Sequence, residues 1–199
     1  MQVIRFKIPK NDTKNVTSAK PKTGGAIYSA PLGAKLPENA TDDLDDGFKN
    51  LGYVSEDGVT NEDTRSSENI KAWGGDIVGA VQTEKEDTFT YKLIESLNVE
   101  VLKEVYGAKN VTGDLDAGIH IKSNSKELEA HVIVVDMIMN GGILKRIVLP
   151  NAKVDEVGEI VYVDGGVVGY ETTLKCFPDE NGDTHHEYIV KPKAQNLEM

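Results

Sequence analysis

Residues 68–107 read ENIKAWGGDIVGAVQTEKEDTFTYKLIESLNVEVLKEVYG, and two periodicities inside this stretch decide the fold. Phe89, Tyr91 and Leu93 alternate with Thr88, Thr90 and Lys92. A period of two marks a strand with one buried face. After Ser96 the period changes, and Val101, Leu102, Val105 and Tyr106 fall on one helical face. Asn98 predicts the N-cap, and Glu100 places a negative charge in the first turn, where the helix dipole favours it. Leu97 and Leu102 occupy the two positions of a hydrophobic staple, and Gly107 is placed to end the helix in a left-handed conformation. Trp73, the only Trp, sits among apolar neighbours and reads as scaffold together with the 98–106 helix. A long strand handing over to one helix predicts the packing centre of a mainly β domain.

Composition narrows the setting. A chain of 199 residues is long enough for one sizeable core with an appended arm or insertion. No apolar run approaches the ~18 residues that span a bilayer, so no membrane anchor is expected. The opening MQVIRFKIPKND lacks the apolar core of an export signal. A single cysteine, Cys176, excludes an intramolecular disulfide and suits folding in a reducing cytosol.

The net charge of −11 is unevenly spread: residues 1–37 sum to +6, residues 38–69 to −8 and the remainder to −9. Gripping nucleic acid needs clustered Lys and Arg, which this balance disfavours. A basic segment ahead of an acidic one permits head-to-tail complementarity between copies, although two solvated segments is the simpler account.

Outward from the central stretch, residues 1–23 read as an arm, with Pro9, Pro21 and a polar run between them. Gly24 and Gly25 open a short apolar strand, Ala26–Ala30, closed by Pro31. Residues 36–69 predict a long protruding loop. Within it, Thr41 is a candidate helix cap with Leu44 and Phe48 four apart, and Asp57-Gly58 predicts the turn of a small hairpin. Beyond the helix, Leu128, Ala130, Val132 and Val134 alternate and then merge into the unbroken run Val132–Val135, a sign of burial on both faces. Asn140-Gly141 predicts a tight hairpin into Ile143–Leu149, with Pro150 ending that strand. Strands at Glu159–Val163, Val167–Phe177 and Glu187–Lys191 follow, and residues 192–199 form a loose tail. The expectation is one domain, 1–199, of eight to ten strands with a helix, an arm and a loop.

No catalytic, cofactor-binding or metal-binding constellation is expected. His185 and His186 are adjacent, so on a strand they point to opposite faces and cannot chelate one ion together. His120 and His131 lack a neighbouring ligand at metal spacing. Asp179–Asp183 resembles the start of a calcium loop, but its Gly is fourth rather than sixth, and Val190 stands where a bidentate Glu belongs. A hairpin turn is the better reading. Gly74-Gly75-x-x-x-Gly79 matches neither phosphate-binding fingerprint. Cys176 alternates with Leu174 and Tyr170 and reads as a small core residue. The acids at 42–46 lie on a segment that reads as solvated and is unsuited to tuned acid–base chemistry.

The succession GAIYSAPLGAKLPENA (25–40), then LGYVSEDGVTNEDTRSSENIKAWGGDIV (51–78), resembles the amino-terminal half of siphophage major tail proteins, the subunits of the tail tube. The resemblance rests on Ala30-Pro31-x-Gly33 and Leu36-Pro37, on Leu51-Gly52-Tyr53-Val54 followed by Asp57-Gly58-Val59, and on Ala72-Trp73-Gly74-Gly75. Their order and spacing carry it over about residues 24–115; no single motif does. It implies a β-sandwich or barrel-like subunit with a flanking helix. Such subunits form hexameric rings that stack into a hollow tube through which DNA passes unbound during ejection. The type VI secretion tube shares this architecture. The implied partners are further copies of the chain, the tape measure, the tail tip and the terminator. The implied setting is the virion tail, after synthesis in the host bacterial cytoplasm. The alternative is a monomeric β-sandwich that binds carbohydrate or acts as an adhesin.

Overall fold

The computed structural model describes residues 11–192. In chain order its elements are β1 (Ala19–Pro21), β2 (Ile27–Pro31), β3 (Lys49–Asn50), β4 (Val54–Lys71), β5 (Ile77–Leu93), α1 (Val99–Tyr106), β6 (Val111–Thr112), β7 (His120–Ile121), β8 (His131–Met139), β9 (Ile143–Val157), β10 (Tyr170–Cys176) and β11 (His186–Val190). The protein is mainly β with one α-helix, as its patterning predicts. Nine strands form one open sheet whose main path runs β3-β2-β8-β9-β10-β5-β4, and β6 pairs with β7 separately. Every pairing is antiparallel.

The unbroken apolar run of β8 is explained by what lies on its two faces. Ile133 and Val135 point into the main core, with Phe89, Tyr91 and Leu93 of β5, Val101, Leu102 and Val105 of α1, and Tyr170, Leu174 and Cys176 of β10. Val132 and Val134 point the other way, into a smaller cluster with Ala30, Phe48 and Val148. Burial on both faces makes the arrangement sandwich-like, and it leaves no position for the polar half of an alternation.

The helix forms where the sequence places it. The Asn98 side chain accepts the backbone N–H of Glu100, and the Gly107 N–H closes onto Lys103. Gly107 has φ of 89° but ψ of 136°, so it leaves the helix extended rather than in the left-handed helical well. A Cβ here would also press within 2.9 Å of Leu128. Leu97 is largely in solvent, so the predicted staple does not seal.

Several expectations are overturned. The segment 36–69 is not a long loop: β3 lies within it and β4 occupies it from Val54 onward. Both faces of β4 are polar, so it is held by ladder hydrogen bonds without a hydrophobic alternation to announce it. The predicted hairpin at Asp57-Gly58 is instead an outward kink in β4, since Val54 pairs with Leu93 and Val59 already with Tyr91. Gly58, at φ of 75°, makes the kink. No helix starts at Thr41; the Asp42 carboxylate accepts the N–H groups of Glu38 and Asn39, and Asn39 accepts that of Thr41. Short polar side chains have captured the backbone there. Leu44 and Phe48 still pack together around the smaller cluster.

β9 runs through Pro150 to Val157. Its outer partner changes there, from β11 up to Val148 to β10 from Ala152, and the β8 register shifts at the same place. A residue without an N–H fits that gap. Glu159–Val163 is irregular rather than a strand, because pairing with β10 ends once Gly158 has bonded to Glu171. Part of the expected arm is strand, with β1 extending the edge of β8 at Met137–Met139. Residues 1–10 and most of the expected tail, 193–199, lie outside the described residues.

Candidate assembly interface

β4 and β5 pair as far as Lys71 and Ile77, but β10 accompanies β5 only to Thr88. Beyond Asp87, which is still buried, the two strands leave the body as a ribbon with both faces largely in solvent. At about 3.4 Å per residue it reaches roughly 30 Å from Asp63 to its tip. Ala72–Asp76 forms the turn, where the Ala72 N–H donates to Asp76 and the Gly75 N–H to Ala72. Gly74 and Gly75 both have positive φ, which the turn requires. Register shifts at Ser66/Ser67 and Ile70/Lys71 mark bulges, which bend and twist the ribbon.

Trp73 corrects the scaffold reading. It stands at the tip with 105% relative exposure. Its apolar neighbours Ile70, Ile77, Val78 and Val81 are exposed beside it. Ile70 lies opposite Gly79 and covers it, and Val81 follows Gly79 on the same face, with Ile77 just beyond the bulge. Several large apolar side chains standing in solvent at one end of a ribbon mark a contact surface. The second feature is the outer edge of β4, which ends the sheet and pairs with no other described strand. A strand of 18 residues with a free edge is a template for further pairing.

Candidate chemical residues are dispersed. Cys176 is buried in the core, where burial and the Asp87 charge push its thiol up to about 12. His120 lies on β7. His131 approaches Glu104 at 2.8 Å, and Glu104 also accepts from Tyr91 and Ser29. Ser29, Glu104 and His131 line a cleft of about 1140 Å³ between β2, α1 and the chain entering β8. His185 and His186 turn to different partners, Asp87 and Asp179. The Asp179–Asp183 segment is a turn, as read, with the Asp179 N–H donating to Asp183 and that of Gly182 to Asp179. Its Asp179, Asp183 and His186 bring ligand atoms within 4.8 Å of one another, a grouping that spacing alone did not reveal. Asp179 already accepts from the N–H groups of Asn181 and Asp183, and these bonds hold its carboxyl below the ordinary range.

The family model described as phage tail tube protein matches residues 9–197. The chain belongs to the phage tail tube protein family. It is a structural protein of the virion tail, and self-association and contact with other tail proteins go with that membership. No curated protein matches the chain. Among the described residues, no helix of this tail tube protein is long and apolar enough to cross a membrane.

Proposed function

We propose that the subunits close into rings through their sheet edges, and that rings stack through the ribbon, with its tip on a subunit of the next ring. The observation that carries this reading is the ribbon itself, because it ends in the exposed apolar side chains Ile70, Ile77, Val78 and Val81 around a fully exposed Trp73. A lone subunit gains nothing by exposing that surface; a second copy gains its burial. The free edge of β4 supports ring closure, since a closed ring leaves no strand growing outward. The number of subunits is six, as the sequence resemblance implies.

The tube is read as the conduit for DNA ejection. A net charge of −11 favours a wall that repels phosphates, so that DNA slides without adhering. The chain acts as a non-enzymatic assembly unit, and residues 1–199 work as one domain. The glycan-binding alternative has an exposed aromatic in Trp73, but among the described residues no second ring is stacked beside it.

Replacing residues 66–84 by Asn-Gly, which joins the opposed pair Arg65 and Lys85 with a tight turn, tests the reading by negative-stain microscopy. Folded subunits that no longer form tubes are the expected result. Tubes of normal diameter and length would overturn the ribbon's assignment.

A further inference from the structure

The core-facing row of β5 is Phe89, Tyr91 and Leu93, and the next position outward in that row is Asp87. A carboxylate therefore stands where the apolar row ends, and it is only 1% exposed. It stands opposite Asp63, one residue beyond the last β10 pairing at Thr88. Asp87 is thus the root of the ribbon.

Three side chains converge on it. Asn61 of β4 donates to Oδ1 at 2.8 Å. From the segment entering β11, the Thr184 hydroxyl donates to Oδ2, and His185 Nδ1 lies 2.6 Å from the same oxygen. The clasp is reinforced around its rim: Lys85 donates to Thr184, Phe89 meets the His185 ring edge-on, and Glu86 pairs with Lys175. Burying a carboxylate is costly, and an apolar residue would extend the core row more cheaply. What the carboxylate adds is direction, because its acceptors are met only when the ribbon root and the Thr184–His185 segment sit in one mutual geometry.

We infer that Asp87 is a positioning residue that fixes the angle at which the ribbon leaves the body. A two-stranded ribbon with no second layer has little else to hold it. Over a reach of roughly 30 Å, a swing of about 10° at the root displaces the tip by about 5 Å, so root geometry decides where Trp73 arrives.

The experiment is a distance measurement by double electron–electron resonance between spin labels at Asp76→Cys on the tip and Glu156→Cys on the body. Cys176 is buried and stays unlabelled. The parent chain is expected to give one narrow distribution. Asp87→Ala is expected to widen it at least twofold while circular dichroism still reports a folded body. The pair Thr184→Val and His185→Gln, which leaves the β5 row intact, is expected to widen it too and serves if Asp87→Ala does not fold. An unchanged distribution in these variants would overturn the inference. The measurement uses unassembled subunits, so its outcome is independent of whether the ribbon contacts another ring.

Discussion

Asp136 and Arg146 face each other across β8 and β9 as a buried, two-pronged ion pair. Arg146 Nε lies 2.6 Å from Oδ1 and Nη2 lies 2.8 Å from Oδ2. The guanidinium also reaches the carbonyls of Asn39 and Asp42 through Nη1, tying the 38–46 segment to the sheet. Lys22 approaches the outer carboxylate oxygen at 3.3 Å. Removing one partner strands a buried charge, so Arg146→Met is expected to cost about 3–5 kcal/mol in urea unfolding. The double variant Asp136→Leu with Arg146→Met should recover much of that loss. It should not recover all of it, because the two carbonyls remain without their donor. Equal loss in the single and double variants would show that the pair itself is not the source.

His131 predicts a pH dependence of stability. Burial alone would lower its pKa, but the hydrogen bond and charge of Glu104 outweigh burial and leave it above the ordinary 6.5. A group raised on folding binds its proton more tightly in the native state. Its contribution is therefore fully present below 6.5 and is lost as pH climbs through the raised folded value. The stability advantage of the parent chain over His131→Gln should shrink across that window. Urea midpoints at several pH values, with an NMR titration of His131, would measure it. A difference that grows with rising pH would contradict the assignment.

What the sequence made legible follows from where periodicity exists. β5, α1 and β8 each bury a face, and each was visible: alternation at Phe89–Leu93, a helical stripe at Val101–Tyr106, and an unbroken run at Val132–Val135. β4 buries almost nothing, so no pattern of side chains betrays 18 residues of strand. The same blindness misplaced Trp73, because an apolar residue among apolar neighbours reads as core until the topology puts them all on a ribbon tip. Asp87 carried no such signal, because a carboxylate two positions before Phe89 reads as solvated and its donors Asn61, Thr184 and His185 are distant in sequence. The Asp136–Arg146 pair was equally hidden, since register across a hairpin decides which charges meet.

Cys176 tests the packing of β10 directly. Its buried thiol, pushed up to about 12, is almost entirely protonated at pH 8, and the thiolate is the reactive form. Native protein is expected to resist a colorimetric thiol reagent at that pH, with one equivalent reacting after denaturation. Rapid stoichiometric reaction of native subunits would show that the core at Leu174–Cys176 opens.

Trp73 separates surface from scaffold most cleanly. A Trp buried in a core costs about 3–5 kcal/mol when cut to Ala, whereas a surface substitution usually stays within about 0.5 kcal/mol. With Trp73 fully exposed, Trp73→Ala should leave the subunit's denaturant midpoint almost unchanged. As the only Trp, it reports on itself: fluorescence of the lone subunit should be that of hydrated indole and freely quenched by acrylamide. If its tip docks on another copy, assembly should shift the emission to the blue and shield it from the quencher, and Trp73→Ala should raise the concentration needed for tubes. A large loss of subunit stability would return Trp73 to the core; unaltered quenching in assembled tubes would remove it from the interface.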